Sequence, residues 1–327
     1  MKHLLSAATL DDILNKAYTD VLRHGVRIEP TNGSTAELFG VMLELTQPLA
    51  RISRSQNRER IFSALGELLW YLSGSDDPAF VSHYVKYYTR PDVSIDGHAI
   101  GAYGPRLIDF DGVNQIETVI SILKNNPASR NAVIQLFDHE DGPRHAPCTL
   151  ALQFVVREGK LNMMTSMRSN DLFLGFPHDV FAFTMLQEII AKSLDVDLGT
   201  YYHSVGSLHL YDKDMNAARE YLNEGWHDGV AMPAMPKEDP WIAINQLLEA
   251  EKTIRLSSGL AIEDLILPQE PYWKDLTLLI YIHKLISEKR LPDLAPAVEQ
   301  IHHSYFGPIV QDRLDRLGMR KLRNDKS

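Results

Sequence analysis

Cys148 is the only cysteine in a chain of 327 residues, and it stands just before Leu150 to Val156, a run apolar at almost every step. Such a run reads as a buried strand. Beyond a turn at Glu158 and Gly159, a second strand passes through LNMMTSMR to Arg168, Ser169, Asn170 and Asp171, so the two form a hairpin. One thiol and one guanidinium thus fall at the edges of a sheet core. A cation near a thiol favours the thiolate, which is the nucleophilic form, and Arg168 can also grip an anion bidentately. Taken singly, a cysteine is more often an inert buried residue and an arginine a surface ion-pair partner.

Three further groups invite chemistry. Glu67 lies at the centre of IFSALGELLWYL, Ile61 to Leu72, a strongly apolar helical run closed by SGSDD. A buried acid is costly unless paired or protonated, so a structural pairing or a catalytic role must explain it; the plain alternative is a surface acid on an amphipathic helix. Asp179 falls at the first turn of a second buried helix, Val180 to Leu194, where it can act as a cap favoured by the macrodipole. His209 and Tyr211, two apart, share one face of a strand, either as satisfied core residues or as donors to a sugar hydroxyl.

The elements that must position these groups follow from periodicity. Leu10, Ile13, Leu14, Ala17, Val21 and Leu22 have helical spacing, and Thr9 before Asp11 and Asp12 is a cap, which predicts a helix from Thr9 to His24. Ala36 to Leu45 alternates as a strand, punctuated by Gly40. Glu117 to Leu123 reads as helix, and ASRNAVIQLFD as a strand beginning with Arg130. Further helices are predicted at Trp241 to Ile254, Lys274 to Ser287 and Ala295 to Arg316, separated by MPAMPKEDP and LPQEP. With 44% hydrophobic and 23% charged residues, the chain can bury a large core. A net charge of −10 argues against a nucleic-acid polymer, so an anionic ligand needs locally placed arginines. One cysteine forms no internal disulfide, and a free thiol suits a reduced cytoplasm. The N-terminal stretch gains acids too early for a signal peptide, and the absence of about 18 uninterrupted apolar residues predicts no membrane helix.

The order Pro147-Cys148, Gln153, Arg168-Ser169, Asp171, Leu174-Gly175, Pro177 and His209-Leu210-Tyr211 resembles the signature of the thymidylate synthase family. Glu67 before Leu68-Leu69-Trp70 and Tyr103-Gly104 resemble two more of its motifs. The resemblance covers roughly residues 20 to 215. It implies an α/β (α+β) fold, a thymidylate-synthase-like mixed sheet flanked by helices in one domain over 1–327, with a divergent helical tail at about 236–327. It also implies a homodimer in which Arg130 reaches the partner's nucleotide phosphate, and 5,10-methylenetetrahydrofolate as co-substrate, bound by Asp171, with no metal. Cys148, Glu67, Asp179 and Tyr103 would be catalytic; Arg168, Ser169, Arg130, Gln153, His209 and Tyr211 would bind the nucleotide.

The sequence also departs from that pattern. Pro30 occupies a position where the family carries a phosphate-binding arginine, with Arg27 a nearby substitute; Asn131 follows Arg130 where a second arginine is usual; Tyr87 and Tyr88 stand near the expected tryptophans. Position 179 is Asp where thymidylate synthases carry Asn, as in the related cytidylate hydroxymethylases. Uracil offers an N3–H donor and an O4 acceptor, which an amide matches, whereas an ionised carboxylate only accepts and suits the N4 amino group and protonated N3 of cytosine. The expected function is therefore 5-hydroxymethylation of CMP or dCMP through a Cys148–C6 adduct. A dUMP-methylating synthase is the nearest alternative, and a non-catalytic nucleotide-binding paralogue, disfavoured by intact Cys148, Arg168 and Glu67, is the other.

Overall fold

The computed structural model describes residues 4–30, 33–55, 60–142, 146–226 and 229–316. The chain divides into two compact units, 1–232 and 233–327. In the first unit the strands are β1 (Leu4–Ala7), β2 (Val26–Ile28), β3 (Thr35–Leu45), β4 (Ser94–Ile95), β5 (His98–Ala99), β6 (Val133–Gln135), β7 (Thr149–Arg157), β8 (Lys160–Asp171) and β9 (Asp197–Tyr211). Its helices are α1 (Leu10–His24), α2 (Ile61–Leu72), α3 (Pro78–Ser82), α4 (Tyr103–Ile108), α5 (Gln115–Asn125), α6 (Gly175–Ser193) and α7 (Met215–Asn223). A mixed sheet runs β1-β3-β9-β8-β7-β6 with β2 on β3. β8 and β9 are parallel, joined through α6, and β7 pairs antiparallel with β8 across the Glu158–Gly159 turn.

Local sequence explains the helices that carry the site. Thr9 caps α1 by accepting from the Asp12 N–H at 3.1 Å, and α2 is buried at all of its positions but Ser63, Glu67 included. α6 is buried at 17 named positions, so its burial demands partners for every polar side chain on it. One such pair is Arg51 with Glu188, both fully desolvated, at 2.5 Å.

The sheet carries a kink that matters for the site. On β3, β9 and β8 the residues buried against the helices alternate as Leu43 and Val41, Tyr201 to Val205, and Met163 to Met167, then skip a step to Leu38, Leu208 and Asn170. The register places Gly40, Gly206 and Arg168 side by side at that step. Gly40 has φ of 75°, and a Cβ on Gly206 would meet the Arg168 carbonyl oxygen at 2.8 Å. Side-chain alternation has a strict period of two, so the skip turns Asn170, and neither Ser169 nor Asp171, toward α6.

Three expectations need correction. Arg130 does not begin a strand, because β6 starts at Val133 and the preceding residues form a bend. Asp179 is the fifth residue of α6 and not a first-turn cap; the N-cap is Leu174, and the Asp171 Oδ1 takes the N–H groups of Phe173 and Leu174 at 2.8 and 3.2 Å. The run Ala295 to Arg316 is broken into two helices. In the second unit α8 (Trp241–Leu256) packs on α9 (Pro271–Ser287), followed by α10 (Leu294–Val298) and α11 (Phe306–Arg316). Between the last two, buried Asp275 accepts from the His302 and His303 N–H groups at 2.7 and 2.8 Å, which fixes that connection.

Candidate active site

Cys148 sits at the mouth of β7 with its surface exposed. Arg168, also exposed, arrives from the neighbouring strand and braces the approach to it: its Nε donates to the Pro147 carbonyl at 3.0 Å and its Nη2 to that of Ala146 at 2.8 Å. The Arg168 N–H donates to the Cys148 carbonyl at 2.9 Å. Desolvation by packed neighbours pushes the thiol pKa up from its ordinary value, Arg168 pulls it down, and Asp179 pushes it further up. The guanidinium therefore works against a resting preference for the neutral thiol. On the other side Tyr103, from α4, receives hydrogen bonds from the Thr149 N–H and hydroxyl at 3.2 and 2.9 Å. Burial holds its phenol in the neutral form.

Behind Cys148 lie two acids in different surroundings. Glu67 of α2 faces the His178 Nδ1 at 2.8 Å, and the other ring nitrogen of His178 lies 3.1 Å from the Ser63 hydroxyl. The buried acid predicted at this position is thus a paired one. Asp179, one residue on from His178, accepts from the Asn170 Nδ2 at 2.7 Å. Burial raises its pKa well above the carboxylate range, the charge of Glu67 adds to this, and the Asn170 hydrogen bond opposes it. Asn170 in turn meets the His203 Nε2 through Oδ1 at 3.0 Å; the His203 Nδ1 is 2.7 Å from the Tyr201 hydroxyl, which is 3.1 Å from that of Thr165. Desolvation lowers the His203 pKa to about 3.

A third group gathers where β8 and β9 end. Asp171 is paired in register with His209, the Ser169 hydroxyl is 3.5 Å from the His209 Nδ1, and the rings of His209 and Tyr211 meet edge to face at 5.1 Å. Arg27 on β2 forms an ion pair with Asp212 here. Gln153 and Arg130 lie at the opposite edge of the sheet, with the Gln153 Nε2 donating to the Arg130 carbonyl at 3.1 Å. Among the described residues no hydrogen bond or ion pair ties either of them to the Cys148 cluster. Tyr88 packs on Trp70 at 5.2 Å, close enough to Glu67 to feel its charge.

The sequence model of the thymidylate synthase family matches residues 10–240. The chain belongs to the thymidylate synthase family. A curated thymidylate synthase from Francisella philomiragia subsp. philomiragia is 27% identical over 210 residues, covering 59% of this chain and 77% of that protein. The mixed sheet flanked by helices is that expected of the family, and the match extends on both sides of residues 20 to 215. Among the described residues no helix is long and apolar enough to cross a membrane.

Within this thymidylate synthase-family site, sequence reasoning missed His178, Asn170, His203 and Tyr201. Only His178 left a usable trace: it adjoins Asp179 in GFPHDV, and a buried Glu67 had to find a partner somewhere. Asn170 was hidden by the kink, since simple alternation puts it on the face away from α6. His203 and Tyr201 read as ordinary alternating strand residues.

Proposed function

We propose that this thymidylate synthase-family protein is a cytidylate 5-hydroxymethylase, acting on CMP or dCMP as a homodimer. The observation that carries the reading is an aspartate, Asp179, buried beside Cys148 with a side-chain donor of its own and no role as a cap. A neutral carboxyl next to cytosine can pass its proton to the basic N3 and accept from the N4 amino group with the carboxylate left behind. Uracil has no basic N3 to receive it. The protonated ring is more electrophilic at C6, and the Cys148 sulfur adds there, which breaks the aromatic system and makes C5 nucleophilic.

The folate supplies the carbon as a methylene unit that bonds to C5; the C5 proton and then tetrahydrofolate leave, water adds to the exocyclic methylene, and the Cys148 sulfur departs from C6 to restore the ring. Asp171 fits the pterin, because its Oδ1 is committed to the α6 backbone while Oδ2 makes no hydrogen bond among the described residues. Glu67, held by His178, takes the proton from C5 and organises the water whose oxygen becomes the hydroxymethyl group. Tyr103 keeps the Cys148 strand in place through Thr149. Arg168 binds the phosphate in its own subunit and exposed Arg130 binds it from the partner, with Ser169 assisting and Gln153 fixing the Arg130 backbone. His209 and Tyr211 hold the sugar.

One observation favours a second reading, dUMP methylation: a protonated Asp179 offers a donor and an acceptor together, as an amide does. The experiment is to incubate the protein with methylenetetrahydrofolate and CMP, dCMP or dUMP and weigh the products. A gain of one CH2O unit on a cytidylate is expected. A gain of CH2 on dUMP, with the cytidylates unchanged, would replace the first reading by the second.

A further inference from the structure

Asp179 is the end of a buried hydrogen-bonded chain that no sequence motif announces. Asn170, 4% exposed, stands between Asp179 and His203, 1% exposed, and Tyr201 and Thr165 complete the line. The direction of such a chain is a chemical fact, since an amide has one accepting and one donating end and a neutral imidazole has one of each. Asn170 turns Oδ1 to His203, so the Nε2 of that ring carries the hydrogen and the Nδ1 is left to accept from the Tyr201 hydroxyl, which lies 3.1 Å from that of Thr165. The NH2 end of the amide is then aimed at the Asp179 Oδ2 at 2.7 Å. Were the chain reversed, the Asn170 oxygen would claim the carboxyl proton of Asp179 and withhold it from the base.

We infer that Asn170 is a specificity-determining positioning residue, and that Thr165, Tyr201 and His203 fix its amide so that Asp179 keeps its proton for the base and its carboxylate is stabilised once the proton has left. The base-selectivity arm of this inference rests on the cytidylate reading. The other titratable groups facing Asp179 are Glu67 from α2, Asp171 from β8, and Cys148, Tyr71, Tyr88, Tyr103 and Tyr201 around it. All but Tyr201 remain in place in the variants below.

The test compares the wild type with Asn170→Ala, Tyr201→Phe and the double variant, reading kcat/KM for the preferred cytidylate and its uridylate counterpart. Asn170→Ala removes a donor to a charged group and should lower the cytosine-to-uracil ratio roughly tenfold or more. Tyr201→Phe should lower it roughly threefold on its own and not at all in the Asn170→Ala background, because it acts only through the amide. Multiplying effects in the double variant, or an unchanged ratio in Asn170→Ala, would overturn the inference. Should Asn170→Ala fail to fold, Asn170→Ser replaces it, with a hydroxyl to accept from His203. A second readout needs no nucleotide: infrared titration of the Asp179 carboxyl band, identified by its loss in Asp179→Asn, should move to higher pH when Asn170 is replaced. If the wild type shows no preference for cytosine, the cytidylate reading fails and this titration alone decides; an unmoved band then sinks the inference.

Discussion

Replacing Asp179 by Asn separates base recognition from stability, because the two respond to different features of the site. The new amide can keep its oxygen toward the Asn170 Nδ2, now 2.7 Å from the carboxyl, which leaves its NH2 for the base. Cytosine then meets a donor where its N4 amino group needs an acceptor, and the N3 proton source is gone. One buried group left unpaired costs about 1 to 3 kcal/mol, or roughly tenfold to more than a hundredfold in kcat/KM. Cytidylate turnover should fall by that factor and activity on the matching uridylate should rise. Stability moves the other way. A carboxyl whose folded pKa lies above its ordinary 3.8 gives its full contribution below that value and loses it as pH rises through the folded value. At neutral pH the amide avoids this loss, so the variant should melt no lower than the wild type, and its advantage should shrink as the pH is lowered toward 4. Steady-state kinetics on both nucleotides and melting curves across pH make the measurement. An unchanged cytosine-to-uracil ratio would refute the assignment of base selection to Asp179, and a variant that melts lower at pH 7 than at pH 4, relative to wild type, would refute the account of its burial.

Cys148→Ser should abolish product formation while nucleotide binding by calorimetry survives, since the hydroxyl is a far weaker nucleophile of nearly the same size; retained turnover excludes a covalent role. Mixing Arg130→Ala chains with Cys148→Ser chains should restore some activity, because one hybrid site regains both residues; absence of rescue in verified mixed dimers argues against action in trans. His178→Phe strips Glu67 of its partner and should lower kcat by up to roughly a hundredfold with a smaller change in KM, and a kcat within twofold of wild type would remove His178 from the proton path. His203, with a folded pKa of about 3 against an ordinary 6.5, stays neutral while the unfolded chain binds the proton, so its contribution falls as pH drops from 6.5 toward 3, by on the order of 4 kcal/mol. Urea unfolding of His203→Gln should show a correspondingly flatter acid limb, and parallel limbs would contradict that burial effect.

Much of this architecture is legible in the residue pattern because the local and the global signals agree. The helices at Leu10–His24 and Ile61–Leu72, and the hairpin of β7 and β8, follow from apolar spacing, one Thr cap and one Glu-Gly turn. Failures occur where a distant contact decides. The helix predicted across Ala295 to Arg316 keeps its apolar spacing through Ile301, Tyr305 and Ile309, yet Asp275 captures the backbone of His302 and His303 and breaks it. The pairing of Glu67 with His178 spans 111 positions, which no local window contains. Asn170 escaped for a geometric reason: its facing depends on a row formed by Gly40, Gly206 and Arg168 from three separate strands.

That row links backbone geometry to chemistry. Without the kink, Asn170 would share the outward face of Arg168, two residues before it, so one local irregularity keeps the guanidinium exposed near Cys148 and delivers the amide to Asp179. The two acids of the cluster are then differentiated by their neighbours, Glu67 by a histidine and Asp179 by an amide inside a desolvated shell, and such a divergence is how one site supplies both a proton acceptor and a proton donor at a single pH. A buried acid whose pKa is raised persists only where its surroundings hold it firmly, and here they are α6, β8 and β9. On the proposed reading, base choice should accordingly be set as much by Asn170 and its partners as by Asp179.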